Sequence, residues 1–177
     1  MIKNITVKMD VIESMLYFWQ ATNDKEKVGE NYIYSIADRE EMSCLYDEEF
    51  DRESVRKVLS AISNREILNS NSKRERKFWN NNMWMMEDLE YTNMMIKPLK
   101  VLNLDDAISM LDQYDTAYDA LEVHFIPGLH EEYQIVGNKV FINFFRVKPD
   151  LYVEDKVTVG DVLLKEYVVA KLEEAVK

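Results

Sequence analysis

The sequence has few of the residues that usually mark a cofactor-binding or catalytic protein. Its 177 residues include 1 Cys, 4 Gly, 3 Pro and 2 His. One cysteine excludes an internal disulfide, and isolated glycines form no glycine-rich loop that would bring backbone amides close to a phosphate. The sequence contains no G-x-S-x-G or H-E-x-x-H motif, no EF-hand loop and no cysteine pair for zinc. We therefore expect no cofactor and no nucleotide-dependent chemistry of the usual kinds.

The charge of the chain restricts its partners. Asp and Glu number 33 against 22 Lys and Arg, which gives a net charge of −11. Nucleic acids and anionic membranes attract basic proteins, so neither is an expected partner. A basic protein, a cation or a small molecule remains open.

The composition predicts one globular domain over residues 1–177. Hydrophobic residues make up 47% and charged residues 31%, and little Gly or Pro is present for linkers. The apolar part of "MIKNITVKMDVIESMLYFWQ" is interrupted by Asp10 and Glu13, which predicts neither a signal peptide nor a membrane span. We expect a cytoplasmic protein.

Residues 1–120 are predicted to be mainly helical. Apolar residues cover about half a helical wheel from Met9 to Trp19, with Asp10, Glu13, Ser14 and Tyr17 on the opposite side. The segment "NDKE", residues 23–26, predicts a capping box and a second helix after it. Asp51 is expected to cap a third helix, whose apolar stripe is Val55, Val58, Leu59 and Ile62.

A long helix is predicted from Ser72 to Pro98. Ser72 and Glu75 form a potential capping box, and Pro98 disfavours a helical residue immediately before it. Apolar residues form a broad face that includes Phe78, and a second stripe of Trp84, Tyr91 and Met95 lies nearly opposite. This pattern predicts a helix buried on two sides.

Residues 121–177 are predicted to contain strands and a closing helix. "ALEVHFIPG" reads as a strand, and Gly137 and Asn138 join two β-rich runs in a hairpin over Tyr133–Val147. "DKVTV" adds a short strand, and Asp161 is expected to cap the last helix, with Val162 among its inward residues. The predicted fold is α+β: a mostly helical N-terminal two thirds packed with a small, largely antiparallel sheet and a C-terminal helix.

Polar residues on the apolar face of the long helix form one candidate site. Asn82 and Asn93 fall within that face, and Glu90 falls between Trp79 and Met83. Buried polar groups need partners, so they either pin neighbouring elements together or line a polar pocket. The pocket would have walls of Met and Trp, and the candidate ligand-binding residues are Trp79, Asn82, Met86, Glu90 and Asn93. The Met-rich stripe suits either core packing or an adaptable groove.

The two histidines form another candidate site. His124 lies on the predicted strand, and His130 follows the break at Pro127 beside Glu131. If the chain folds back there, His124, His130 and Glu131 could ligate Zn²⁺ or Fe²⁺ with open positions. The alternative is a strand histidine facing a neighbour and a second histidine in an exposed turn.

Two charge clusters of opposite sign are predicted to pair. "KRERK" (residues 73–77) begins the long helix, where positive charge is mildly unfavourable. "YDEEFDRE" (residues 46–53) is the expected acidic partner, either within the chain or from a second subunit.

These patterns favour a non-enzymatic binding or protein-interaction module that associates with itself. Catalytic motifs are missing, whereas aromatic and Met side chains are plentiful. The alternatives are a small metal-dependent hydrolase using the histidine site and a small-molecule sensor with a Met/Trp-lined pocket.

Three segments resemble those of a family of small uncharacterised bacterial proteins: "SVRKVLSAISNRE", "FWNNNMWMMEDLE" and "VGNKVFINFFRV". The resemblance implies a bacterial, cytoplasmic protein. It implies no activity, cofactor or catalytic residue.

Overall fold

A computed structural model describes all 177 residues and confirms the α+β class, with 51% helix and 16% strand. The chain divides into two compact units. One is Asp10–Asn93, which we call the helical unit. The other combines Met1–Met9 with Met94–Lys177, which we call the mixed unit. The division falls within a helix and places both ends of the chain in the mixed unit.

The helical unit contains four complete helices and the start of a fifth. They are α1 (Asp10–Asn23), α2 (Glu30–Ala37), α3 (Arg52–Ser63), α4 (Lys73–Glu87) and the first residues of α5 (Leu89–Lys100), with a 3-10 helix at Glu40–Leu45. The apolar face predicted for α1 is buried, and its opposite side carries exposed Asp10, Glu13 and Tyr17. Asp51 caps α3 as expected, since its carboxylate accepts from the Ser54 N–H and the Ser54 hydroxyl accepts from the Asp51 N–H.

The predicted capping box at Asn23 is wrong. Asn23 is the last residue of α1, and its side-chain amide donates to the Met86 carbonyl at 2.9 Å. The chain then turns through Lys25, whose φ is 63°, and α2 begins only after Gly29. The Asn23 side chain, which the local pattern predicted to be a helix cap, bonds instead to Met86 of another helix.

The predicted single helix ending at Pro98 is two helices, and Pro98 lies inside the second. Asp88 separates them: its carboxylate accepts from the Tyr91 N–H at 3.0 Å, as an N-cap does. The Thr92 hydroxyl donates to the carbonyls of Met85 and Asp88. Of the predicted second stripe, Trp84 is 68% exposed, Tyr91 is half-buried and only Met95 is buried, so the stripe does not form a second buried face.

The mixed unit contains two sheets and two further helices. Its elements are β1 (Asn4–Lys8), α6 (Ile108–Leu111), β2 (Ala120–Ile126), β3 (Tyr133–Val136), β4 (Lys139–Asn143), β5 (Val147–Pro149), β6 (Val157–Val159), β7 (Val162–Leu163) and α7 (Leu164–Val176), with short 3-10 helices at Asp105–Ala107 and Phe144–Arg146. The four-stranded sheet has the order β1-β2-β4-β3, and the three-stranded sheet has the order β5-β6-β7.

Strand pairing differs in part from the predicted sheet. The β3–β4 hairpin is antiparallel with Tyr133 opposite Ile142 and Ile135 opposite Val140, as expected, and Gly137 in its turn has φ +60°. However, β1 pairs parallel with β2, and β2 pairs parallel with β4. β1 was not predicted, and it makes the first of these pairings across more than 100 residues of chain.

The C-terminal helix is present but begins later than predicted. Val162 and Leu163 form β7, and both are more than 40% exposed. Asp161 therefore precedes a strand and does not cap α7, whose N-cap residue is Leu163. The inward positions Val168, Leu172 and Val176 are buried as expected.

Candidate functional site

Asn82 links two helices of the helical unit. Its side chain is fully buried: the carbonyl oxygen accepts from the Trp19 indole N–H at 3.0 Å, and the amide donates to the Phe78 carbonyl at 2.8 Å. Trp19 lies on α1 and Asn82 on α4. Of the two roles that the sequence left open for Asn82, these bonds correspond to pinning neighbouring elements.

The structure does not gather the other members of the predicted pocket around Asn82. Met86 is buried, and Trp79 is half-buried with its indole N–H buried and without a hydrogen-bond partner. Glu90 and Asn93 are exposed on α5. The helix break at Asp88 gives α5 a different phase, so residues that share a face on one continuous helix point in different directions here.

The structure places the two histidines in different environments. His124 is buried in β2, where its ring stacks on Phe141 at 4.8 Å and its Nε2 lies 3.2 Å from the Glu122 carboxylate. His130 and Glu131 are exposed in the segment between β2 and β3. Nowhere in the chain do three or more His, Cys, Asp or Glu side chains form a group that could hold a metal ion. The structure therefore does not bring His124, His130 and Glu131 together as a metal site.

The predicted pairing of the two charge clusters is confirmed within the chain. Arg74 forms an ion pair with Asp47, donates to the Leu45 carbonyl at 2.8 Å, and lies 5.0 Å from the centre of the Phe50 ring. Lys57 pairs with Glu75 at 3.1 Å. The Arg74 contacts tie the start of α4 to the loop before α3, and the Lys57–Glu75 pair joins α4 to α3 itself, so these charges have a structural role within one subunit.

The loop between β5 and β6 presents three consecutive apolar residues to solvent. Leu151, Tyr152 and Val153 are 66%, 96% and 51% exposed. We call Leu151–Val153 the hairpin tip. The Asp150 carboxylate accepts from the N–H groups of Tyr152 at 2.8 Å and Val153 at 2.9 Å, and these bonds hold the pKa of Asp150 below its usual value. The tip is thus a fixed turn that displays apolar side chains.

A mostly apolar groove lies beside this loop in the mixed unit. Its volume is about 430 Å³, and Asp155, in the same loop as the hairpin tip, is part of its wall. The other lining residues are Pro98, Val101, Leu102, Asn103, Val157, Leu163, Leu164 and Lys165. Val101 is 74% exposed at the mouth. We call this cavity the apolar groove. One unit therefore carries both an apolar projection and an apolar depression.

A second groove, of different chemistry, lies between α1 and α2 in the helical unit. Its volume is about 570 Å³, and it is lined by Asp10, Glu13, Ser14, Tyr17, Tyr32 and Arg39. The first four occupy one face of α1, because each of them lies three or four residues from two others of the set. We call this cavity the tyrosine groove. One wall of the tyrosine groove is the exposed side of the amphipathic helix that the sequence predicted. Tyr32 of α2 and Arg39 of the turn after α2 complete it.

The sequence offered a weak signal for the hairpin tip. "PDLYVED" places three apolar residues between acidic ones, which fits either a short strand or an exposed turn, because apolar residues alone do not specify which way they face. The exposure of the three side chains in the structure shows that they face solvent.

Comparisons with protein-family models, with curated proteins and with solved structures each found no match. The bacterial resemblance therefore stays a prediction. Among the helices of the structure, none combines the length and the apolar character that a membrane crossing needs.

Proposed function

We propose that the protein is a non-enzymatic interaction module that associates with a second copy of itself through the mixed unit. The observation that carries this proposal is the presence of the hairpin tip and the apolar groove on the same unit. A tyrosine that is 96% exposed at the end of a fixed turn is typical of a residue that is buried by a partner.

The second copy is favoured because the chain supplies both halves of the contact. A twofold axis applies every contact twice, so the tip of each chain can meet the groove of the other. The tip and the groove lie close together, because Asp155 of the tip's own loop lines the groove. Each hairpin tip would then insert Leu151 and Tyr152 into the apolar groove of the other chain, beside Val101 and Leu163.

The net charge of −11 opposes this association and gives it a recognisable salt dependence. Two like-charged chains repel one another, and added salt screens that repulsion while leaving apolar burial intact. The dimer fraction is therefore expected to rise with ionic strength.

The test is sedimentation equilibrium of the wild type and three single variants. Tyr152→Ser removes the aromatic side chain of the hairpin tip, and Val101→Ser makes the wall of the apolar groove polar. Both residues are exposed enough for the fold to survive. Ile67→Ser is the matched control, because Ile67 is 93% exposed but lies in the helical unit. We expect a dimeric wild type, a dimeric control, and dimer dissociation constants raised at least about tenfold by the other two changes.

Mixing the two defective variants sharpens the test. A mixed pair of Tyr152→Ser and Val101→Ser chains has one intact tip-to-groove contact, whereas each variant paired with itself has none. The mixture should therefore dimerise more strongly than either variant alone. A monomeric wild type at all salt concentrations, or equal weakening by Ile67→Ser, would contradict the proposal.

A further inference from the structure

The tyrosine groove carries an inference that is independent of self-association. We propose that it binds an arginine or lysine side chain from an extended basic segment of another protein. The groove belongs to the helical unit, so variants that abolish the proposed dimer leave it intact.

Two aromatic rings provide the surface on which a cation would rest. The rings of Tyr17 and Tyr32 are 5.0 Å apart and tilted by 57°, and Tyr17 is 54% exposed. The Tyr32 hydroxyl donates to the Ser14 carbonyl at 2.8 Å, which fixes that ring against α1. A cation over the face of a tyrosine is attracted by the negative potential of the ring, and the attraction grows as water is excluded.

A carboxylate stands one helical turn from the exposed ring. Glu13 precedes Tyr17 by four residues on α1 and makes no ion pair within the chain. A cation resting on Tyr17 would therefore meet a negative charge at helical-neighbour distance. This pairing of an aromatic face with a carboxylate selects a side chain that is both positively charged and partly apolar, as arginine and lysine are.

Arg39 also lines the groove, and its ion pairs are with acids other than Glu13. Its guanidinium lies 3.0 Å from the Glu41 carboxylate and 3.8 Å from that of Asp10. The charge of Arg39 is thus directed to those two acids. Arg39 thus shows that acidic side chains at this groove can hold a guanidinium.

The charge of the whole chain favours a protein partner that is basic. The groove itself is lined by two acids, Asp10 and Glu13, and the net charge of −11 attracts cationic segments at long range. The groove is open at the surface, which suits a side chain that projects from an extended segment.

The test is isothermal titration of the Tyr152→Ser protein with an acetylated, amidated Arg-Gly-Arg-Gly-Arg peptide. The same peptide with citrulline in place of arginine keeps the shape and removes the charge. We expect binding of the arginine peptide, weakening with added salt, and no binding of the citrulline peptide.

Substitutions then assign the binding to the tyrosine groove. Glu13→Gln and Tyr17→Leu alter exposed side chains, and each should weaken binding at least about fivefold. Glu48→Gln is the control, because Glu48 is an exposed acid of the same unit outside the groove, and it should change affinity less than about twofold.

Three results would overturn the inference. The first is the absence of arginine-peptide binding by a folded protein. The second is equal weakening by Glu48→Gln and Glu13→Gln, which would reduce the effect to net charge. The third is binding of free arginine amide as tightly as the peptide, which would assign the groove to small organic cations instead of a protein segment.

Discussion

The chain uses the same carboxylate turn in both units, with opposite results. Asp47 accepts from the N–H groups of Glu49 at 2.8 Å and Phe50 at 2.9 Å, just as Asp150 accepts from Tyr152 and Val153. In the first turn Phe50, the third residue after the aspartate, is 2% exposed. In the second turn the corresponding residue, Val153, is 51% exposed, and Tyr152 just before it is 96% exposed. The same hydrogen-bonded turn therefore does not decide whether its apolar residues are buried, and the surroundings do.

The two turns differ in the ring and the cation that lie beside them. Phe50 meets the ring of Phe78 edge-on at 5.3 Å and is covered by Arg74, which also pairs with Asp47. Asp150 pairs instead with Lys156, whose ammonium lies 3.9 Å from the carboxylate and covers no ring of the tip. Phe50 is thus covered within its own unit, whereas Tyr152 is left for a contact outside the chain.

Removing the two aromatic side chains should give the largest difference. Phe50→Ala deletes a buried ring and its contact with Phe78, and it should lower the free energy of unfolding by about 3–5 kcal/mol. Tyr152→Ala should change it by less than about 0.5 kcal/mol. Urea unfolding monitored by circular dichroism measures both, at a protein concentration low enough to keep the wild type monomeric. Comparable losses would mean that the tip packs on its own unit.

A second pair of substitutions compares the stability contributions of Asn82 and Asn93, which were predicted to share one helix face. Asn82→Ala removes the acceptor for the Trp19 indole N–H and should destabilise the protein by about 2 kcal/mol. Asn93→Ala changes an exposed residue and should stay within about 0.5 kcal/mol. Urea unfolding again measures the two values, and a double variant with Trp19→Phe should show clear non-additivity with Asn82→Ala. Additive effects would show that the Trp19–Asn82 bond contributes little.

These pairs show which features the sequence could predict. Apolar periodicity identified the buried face of α1 and the turn residues identified the β3–β4 hairpin, because both signals are local. The break at Asp88 was missed because an N-cap in the middle of a helical pattern competes with helix continuation, and tertiary packing decides the outcome. The burial of Asn82 was expected, but its partner Trp19 lies 63 residues away and periodicity cannot identify it.

The same reasoning applies to strand order and to the surface sites. The parallel β1–β2 pairing joins segments more than 100 residues apart, and no spacing in the sequence indicates it. Periodicity indicated that Glu13 and Tyr17 are exposed. It did not indicate that Tyr32 of α2 would complete a groove with them, since that depends on how two helices pack.

Changing the cation beside each turn should give a smaller difference. Arg74→Gln removes the ion pair with Asp47 and the guanidinium above Phe50, and we expect a loss of about 1 kcal/mol, because the Arg74 side chain is only 19% exposed. Lys156→Gln changes a distant and more exposed pair and should stay within about 0.5 kcal/mol. Urea unfolding at low and high salt provides the measurement. A loss for Lys156→Gln equal to that for Arg74→Gln would remove the proposed distinction between the turns.

The pH dependence of the two turns should give the smallest effect and should have the same direction for both. The N–H groups of Glu49 and Phe50, together with Arg74, lower the pKa of Asp47. The N–H groups of Tyr152 and Val153 lower the pKa of Asp150. A carboxyl whose pKa is lower in the folded state stabilises the fold above its unfolded pKa of about 4. That stabilisation is lost as the pH falls through the folded value. Asp47→Asn and Asp150→Asn should therefore be less stable than the wild type at pH 7, with each difference shrinking below about pH 4 in urea unfolding. A difference that stays constant down to pH 3 would mean that the turn depends on the shape of the side chain and not on its charge, because asparagine can accept the same hydrogen bonds without titrating.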